Sequence, residues 1–305
     1  MRRYVVRRLA QAVPVVVGAT FLVYAMMWSL PGDPLAGRCD GPCPEAYVDR
    51  MTAAYNLADP LIVQYGKYMA NLVTGDFGVT FAGAPVADEL LQRLPVTLQL
   101  AALAVAVELI LGVAAGVVAA LRPGGVIDHL VLSSTLLVMA IPVFVAALLA
   151  QTVLGVHLGW FPITSDGSIG SLILPAIVLG SLSTAFVARL MRSSLIEGMY
   201  ADHVRTAVAK GLSRRRVVTA HGVRNSLVPV VTLVGTDFGS LLGGAVVIEM
   251  IFNINGLGTL VLRSIRGGEI GTVTAVVTLL VLAFVLVNLA IDLIYPLLDP
   301  RIRLG

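Results

Sequence analysis

Six apolar runs, each about 20 residues or longer and almost free of charge, dominate this chain. They are Leu9–Leu30, Pro95–Leu121, Asp128–Leu154, Leu172–Leu190, Leu227–Ile251 and Val273–Tyr295. A helix of that length crosses the hydrocarbon core of a bilayer, where no water is available to satisfy backbone N–H and C=O groups. The runs are too long for barrel strands, so the expected fold is an all-α integral membrane protein with six transmembrane helices. Charge supports this: only 13% of the 305 residues are charged, against about 25% in a soluble domain. The net charge of +3 then reports topology, and no nucleic-acid partner is expected.

The distribution of cations orients the spans. Arg2, Arg3, Arg7 and Arg8 precede the first run and hold the N-terminus in the cytoplasm. That run is longer than the core of a signal peptide and no small-x-small site follows, so an uncleaved anchor is expected. Residues 31 to 95 hold eight acids and four bases and belong outside. Within them Tyr47, Val48, Met51 and Tyr55 share one helical face, as do Leu61, Ile62, Tyr65, Met69 and Leu72, which predicts short amphipathic helices at the outer surface. Cys39 and Cys43 flank Asp40-Gly41-Pro42 in this loop. A short bridge is expected in an oxidising compartment, with two free thiols as the alternative. No further ligands suggest a metal.

The remaining loops obey the same rule. Arg122-Pro123-Gly124-Gly125 is an inner turn, Pro142 kinks or breaks the third span, and Trp160 anchors its outer end. The tail at Asp299–Arg303 is basic and inside. The resulting division is a cytoplasmic N-terminus and first span (1–30), an outer loop (31–94), a five-helix core (95–295) and a cytoplasmic tail (296–305). Gly112 with Gly116, and Gly239 with Gly243, are small-xxx-small pairs suited to close helix contact.

Between the fourth and fifth spans lies the most patterned inner segment. From Arg189 to Arg224 there are eight Lys or Arg and two acids. Asp202 suits a helix start, Val204, Ala207 and Val208 share a face, and Lys210-Gly211 suits a left-handed stop. Ser213 is a candidate cap for a second helix that carries Arg214, Arg215 and Arg216 and runs toward Arg224-Asn225, with Pro229 opening the next span. A helix–turn–helix lying along the membrane, with one apolar and one charged edge, is a surface for a cytoplasmic partner.

The stretch from Asp202 to Ser213, followed by Arg224-Asn225-Ser226-Leu227-Val228-Pro229, resembles the EAA loop of ATP-binding-cassette importer permeases of the dipeptide/oligopeptide type. The resemblance extends over the chain. It includes Leu30-Pro31-Gly32-Asp33-Pro34, Tyr55–Leu61, Gly75-Asp76-Phe77-Gly78, Leu94–Leu98, Leu158–Pro162, Ala188–Ser194 and Phe252–Gly258, in family order. Two departures stand out. Asp202-His203 replaces a common Glu-Tyr, and Val208 replaces a common Arg. The Gly211 turn is retained.

The resemblance implies a type I importer permease that pairs with a sister permease, docks on cytoplasmic ATPase subunits and receives peptide from an extracytoplasmic binding protein. It implies ATPase coupling through the loop 193–226, with Asp202, Arg205, Thr206, Ala207, Lys210, Gly211, Leu212, Arg214 and Arg215 as the coupling residues. It also implies a bacterial cell membrane location with both termini cytoplasmic, and no cofactor on this chain. Gly66-Lys67 lacks the flanking residues of a phosphate-binding loop, so ATP and Mg belong to partner subunits. Phe252, Leu257 and Glu249 correspond to an outer gate region.

Two carboxylates stand apart from that pattern. Glu108 lies halfway along the second span and Asp237 about ten residues into the fifth, and intramembrane carboxylates are costly enough to suggest a role in the translocation path. Pairing with a Ser, Thr or Asn on a neighbouring helix, for example Asn288, is the plainer alternative. Nickel or glutathione permeases of the same family remain open. A proton-coupled secondary transporter would use these two acids itself, but no inverted repeat is visible. A membrane enzyme lacks a catalytic constellation, since none of the four His has a nucleophile beside it.

Overall fold

The structure is a computed structural model that describes residues 2–28 and 43–298, the side chains of residues 2–5, 8, 203 and 291–298 excepted. Cys39, the Leu30–Pro34 stretch and the basic tail fall outside the described residues. Cys43 is disulfide-bonded.

Among the described residues the chain forms eleven helices and no sheet. They are α1 (Arg2–Trp28), α2 (Glu45–Tyr55), α3 (Leu61–Val73), α4 (Val86–Ala120), α5 (Val126–Ala140), α6 (Val143–His157), α7 (Ile169–Met199), α8 (Asp202–Ala209), α9 (Arg214–Ile251), α10 (Leu257–Arg266) and α11 (Ile270–Leu298). Five of these, α1, α4, α7, α9 and α11, are long and apolar enough to cross a bilayer. The pair α5 and α6 makes a sixth if taken together, but it bends by 102°. Pro142 is the cause. It lacks an N–H, and it drives Ile141 into extended backbone (φ −93°, ψ 122°). The third apolar run is therefore broken, not merely kinked.

Two compact units divide the chain. The first comprises Met1–Thr97 and Asn255–Leu289. Here α1 rests on α3 through an aromatic group: Phe21, Tyr24 and Trp28 meet Tyr55, Tyr65 and Tyr68 with ring centroids 5.1–5.8 Å apart. The Thr20 and Tyr65 hydroxyls lie 2.9 Å apart, and Tyr68 donates to Thr278 at 3.0 Å. Burial pushes the Tyr68 phenol up to about 12. On α3, Tyr65 is buried and Leu61, Met69 and Leu72 are half-buried, as expected from apolar spacing, whereas Ile62 is exposed and Gln64 is buried. The face of α2 packs as expected, Tyr47, Val48, Met51 and Tyr55 closing over Phe81. Asn56 ends α2 in the left-handed region (φ 54°). A second cluster joins Val86 and Leu90 of α4 to Leu257 and Leu260 of α10 and Ala275 and Val276 of α11.

The second unit comprises Leu98–Ile254 and the end of α11. Its centre is α7, 61% of whose most apolar stretch is buried, against 28% for α4 and 33% for α9. Val187, Met191 and Leu195 of α7 pack on Val230 and Val234 of α9 and on Val105, Leu109 and Val113 of α4. Close approach of α4 and α7 depends on glycine. A Cβ on Gly112 would lie 2.6 Å from Val187 Cγ1, one on Gly116 would lie 2.5 Å from the Ala188 carbonyl, and one on Gly180 would lie 2.8 Å from the Ala104 carbonyl. The Gly112–Gly116 pair thus behaves as its spacing suggests. Gly243 does not: it has nothing within 4 Å, and the contact falls to Gly244, against Leu179.

Candidate functional site

The basic segment folds as one block with the ends of two spans. α7 continues to Met199, past the Leu190 boundary expected from its apolar run, so the polar loop begins late. Asp202 is the first residue of α8, where its carboxylate complements the helix dipole. Val204 and Ala207 turn inward onto Val217, with Met199 and Leu212 closing the cluster. Val208, expected on that face, is exposed.

The turn after α8 is a complete Schellman motif. Gly211 lies at φ +79°. Its N–H donates to the Val208 carbonyl at 2.9 Å, and the Leu212 N–H reaches back to the Ala207 carbonyl at 3.2 Å. The side chains of Leu212 and Ala207 belong to one cluster, as the motif requires. Glycine takes this backbone freely and Asn tolerates it, whereas other L-residues are strained there.

Beyond this turn the chain departs from the expected second lateral helix. Ser213 holds the cap position by its backbone, without a side-chain cap bond. From Arg214 the chain then runs to Ile251 in one continuous helix, widened to π geometry over Val217–Val223. No left-handed glycine or proline intervenes before Pro229, and Pro229 removes one N–H donor without ending the helix. The hairpin is therefore α8 folded back on the first turns of α9. Gly222 seals it to α7, since a Cβ there would lie 2.8 Å from Leu195 Cδ1.

Of the nine coupling residues expected from the sequence, seven present themselves to solvent: Asp202, Arg205, Thr206, Lys210, Gly211, Arg214 and Arg215. Ala207 is buried and Leu212 half-buried over it, so these two shape the hairpin instead of its outer face. Asp202 and Arg205 approach to 3.9 Å, an exposed pair of little energetic weight. Two arginines that contribute to the positive count are occupied elsewhere. Arg192 forms a two-pronged pair with Asp128, at 2.5 and 2.7 Å, and Asp128 also accepts the Gly124 N–H at 2.8 Å. Arg189 donates to Thr135 at 2.9 Å. These bonds pin the inner turn before α5 to α7. Asp128 reads in the sequence only as a span boundary, and nothing local marks it as a partner of Arg192.

Deeper in the same unit, Glu108 and Asp237 come together. Glu108 occupies the π-widened turn Glu108–Gly112 of α4 and is fully buried. Asp237 of α9 is half-buried and interacts with it electrostatically. Ser183 of α7 lies beside both and donates its hydroxyl hydrogen to Asp237. Asp237 thus pairs with a serine of a neighbouring helix, the plainer alternative, while Asn288 donates to the Phe284 carbonyl at 2.8 Å.

The expected gate residues are all interior. Glu249 and Phe252 are buried at the end of α9, where Asn253 (φ 49°) closes a second Schellman turn through the Ile254 N–H to the Glu249 carbonyl at 2.8 Å. In the first unit Leu257 is buried, and its N–H donates to Thr97 Oγ1 at 2.8 Å.

The sequence matches a known family over nearly its whole length. Residues 112–304 match the binding-protein-dependent transport system inner membrane component, and residues 1–101 match the N-terminal part of such membrane components. The chain belongs to this family. It is 39% identical over 99% of both chains to a putative peptide transport system permease protein of Brucella abortus (strain 2308). It is 35% identical to the oligopeptide transport system permease protein AppB of Bacillus subtilis (strain 168), over 99% of this chain and all of AppB. It is 37% identical to the glutathione transport system permease protein GsiC of Escherichia coli (strain K12), over 99% of both chains. Among solved structures it resembles an inward-facing MetNI methionine ABC transporter chain, with a TM-score of 0.58 at 18% identity over 69% of this chain and 96% of that one. That likeness places the fold as the type I ABC importer permease.

Proposed function

We propose that this chain is the transmembrane subunit of an ATP-driven importer of dipeptides or short oligopeptides. It forms the translocation path with a sister permease and takes peptide from an extracytoplasmic binding protein. ATP and Mg act on separate ATPase subunits that dock on the exposed edge of α8 from the cytoplasm, the chain itself being a transporter component and not an enzyme. Both termini lie in the cytoplasm of a bacterial cell. The observation that carries this reading is the hairpin. A short helix locked by Gly211 and sealed to α7 and α9 transmits a push on Arg205, Thr206 or Lys210 directly to two spans.

Relatives named for peptide transport support the substrate class. The 37% identity to GsiC favours glutathione, itself a tripeptide, as a second reading. The test is uptake into proteoliposomes holding the co-purified complex. Peptide accumulation that requires ATP, the ATPase subunits and the binding protein supports the proposal. Accumulation driven by a proton gradient with this chain alone contradicts it.

A further inference from the structure

Glu108 is the one fully buried carboxylate whose two oxygens both lack a hydrogen-bond partner among the described residues. A buried polar group left unbonded is costly, and a carboxylate more so. Folds keep such groups where a function uses them. The position is also tightly constructed. α4 and α7 approach closely at Ala104 with Gly180 and again at Gly112 with Val187. Glu108 and Ser183 fall between these two contacts, so they meet wherever the helices hold this register. The π turn beginning at Glu108 adds a residue to the helix there, a deformation frequent at functional sites.

The chemistry of the cluster is one-sided. With both carboxyls ionised, they and the hydroxyl offer many acceptor sites and a single hydrogen, which Ser183 gives to Asp237. The two arginines of α7 do not supply the deficit, because Arg192 is held by Asp128 and Arg189 donates to Thr135. A group complementary to this cluster carries donors only and a positive charge, and a primary ammonium has three donors and no acceptor. Asp237 is half-buried and Glu108 fully buried, so Asp237 is the more accessible of the two.

We propose that Glu108, Ser183 and Asp237 form an acceptor cleft for the ammonium group of the transported peptide, with Asp237 making first contact and Glu108 completing the site. This rests on the peptide-importer reading for its source of ammonium. Either the N-terminal amine or a lysine side chain supplies the same chemistry.

The experiment measures binding to the purified complex, without the binding protein, using glycinamide and N-acetylglycinamide as probes and N-acetyl-lysinamide to test a side-chain amine. Glycinamide is expected to bind and N-acetylglycinamide not to. Glu108→Gln and Asp237→Asn are each expected to weaken glycinamide binding about tenfold or more, the range for losing a charged hydrogen bond. Binding of N-acetyl-lysinamide extends the site to side-chain amines, and its absence restricts the site to the N-terminal amine. Equal binding of the two glycine probes, no binding of glycinamide, or wild-type binding in both assembled variants overturns the proposal. The two readings fail separately: glycinamide binding without peptide import leaves the ammonium site and removes the importer, and the converse removes only the site.

Discussion

Replacing Gly211 tests the hairpin through its backbone alone. A Cβ at this position would have nothing within 4 Å, so bulk meets no obstacle within the chain. The whole penalty comes from holding φ at +79°. For an L-residue other than Asn or Asp that penalty is about 1–2 kcal/mol, or roughly a 5- to 30-fold shift away from the closed turn. The hairpin has little to set against it, since among the described residues its buried cluster is Val204, Ala207 and Val217, with Met199 and Leu212 packed on it. Gly211→Ala is therefore expected to reduce peptide-stimulated ATPase activity of the assembled complex several-fold. Gly211→Val, β-branched and poorly tolerated at positive φ, is expected to abolish it. Gly211→Asn, which adopts this backbone readily, should stay close to wild type. Membrane insertion should be the same for all three, because the spans are untouched. Full coupling in the Val variant would refute the role of the turn. An Asn variant as impaired as Val would refute the backbone argument and point to a surface that tolerates no side chain.

Two stability measurements on the solubilised chain probe how the second unit is held. Arg192→Ala leaves the Asp128 carboxylate, 1% exposed, without its charged partner. The expected loss is about 3 kcal/mol, discounted toward 2 because Arg192 is partly exposed, and a loss below about 0.5 kcal/mol would show that the pair is not formed. Gly116→Ala forces a Cβ to 2.5 Å from the Ala188 carbonyl, part of the backbone of α7, and overpacking of this kind costs about 1–3 kcal/mol. Gly243→Ala, facing open space, should change the melting temperature little. The reverse ranking would mean that α4 and α7 do not pack in this register.

Much of the bundle is legible in the sequence because the bilayer imposes so simple a rule on length and polarity. The spans, the Gly211 stop and the inward face of α2 all arise from local pattern. So does the oddity of Glu108 and Asp237, which stand out against apolar neighbours. What local pattern does not carry is register between helices. Ser183 is one of several serines in α7 and gains its meaning only from the glycine contacts that set it opposite Glu108. Asp128 and Arg192 are 64 residues apart and read separately as a span boundary and a loop charge. The π segments leave no sequence signature. Pro229 misleads in the other direction, since it reads as a helix start but is carried inside α9, whose other hydrogen bonds outweigh the one it removes. On α3, Ile62 reads as inward by spacing but is exposed, while Gln64 turns inward, its amide donating to the Asp59 carbonyl, a bond that hydropathy does not register.

The most direct measurement places a single reactive thiol on the outer edge of α8. Thr206 is exposed and its hydroxyl bonds only the Asp202 carbonyl among the described residues, so Thr206→Cys perturbs little. A membrane-impermeant maleimide should label it in inverted vesicles and not in right-side-out vesicles, and assembly with the ATPase subunits should block the labelling. Labelling from the outer side, or labelling undiminished in the assembled complex, would contradict a hairpin driven from the cytoplasm.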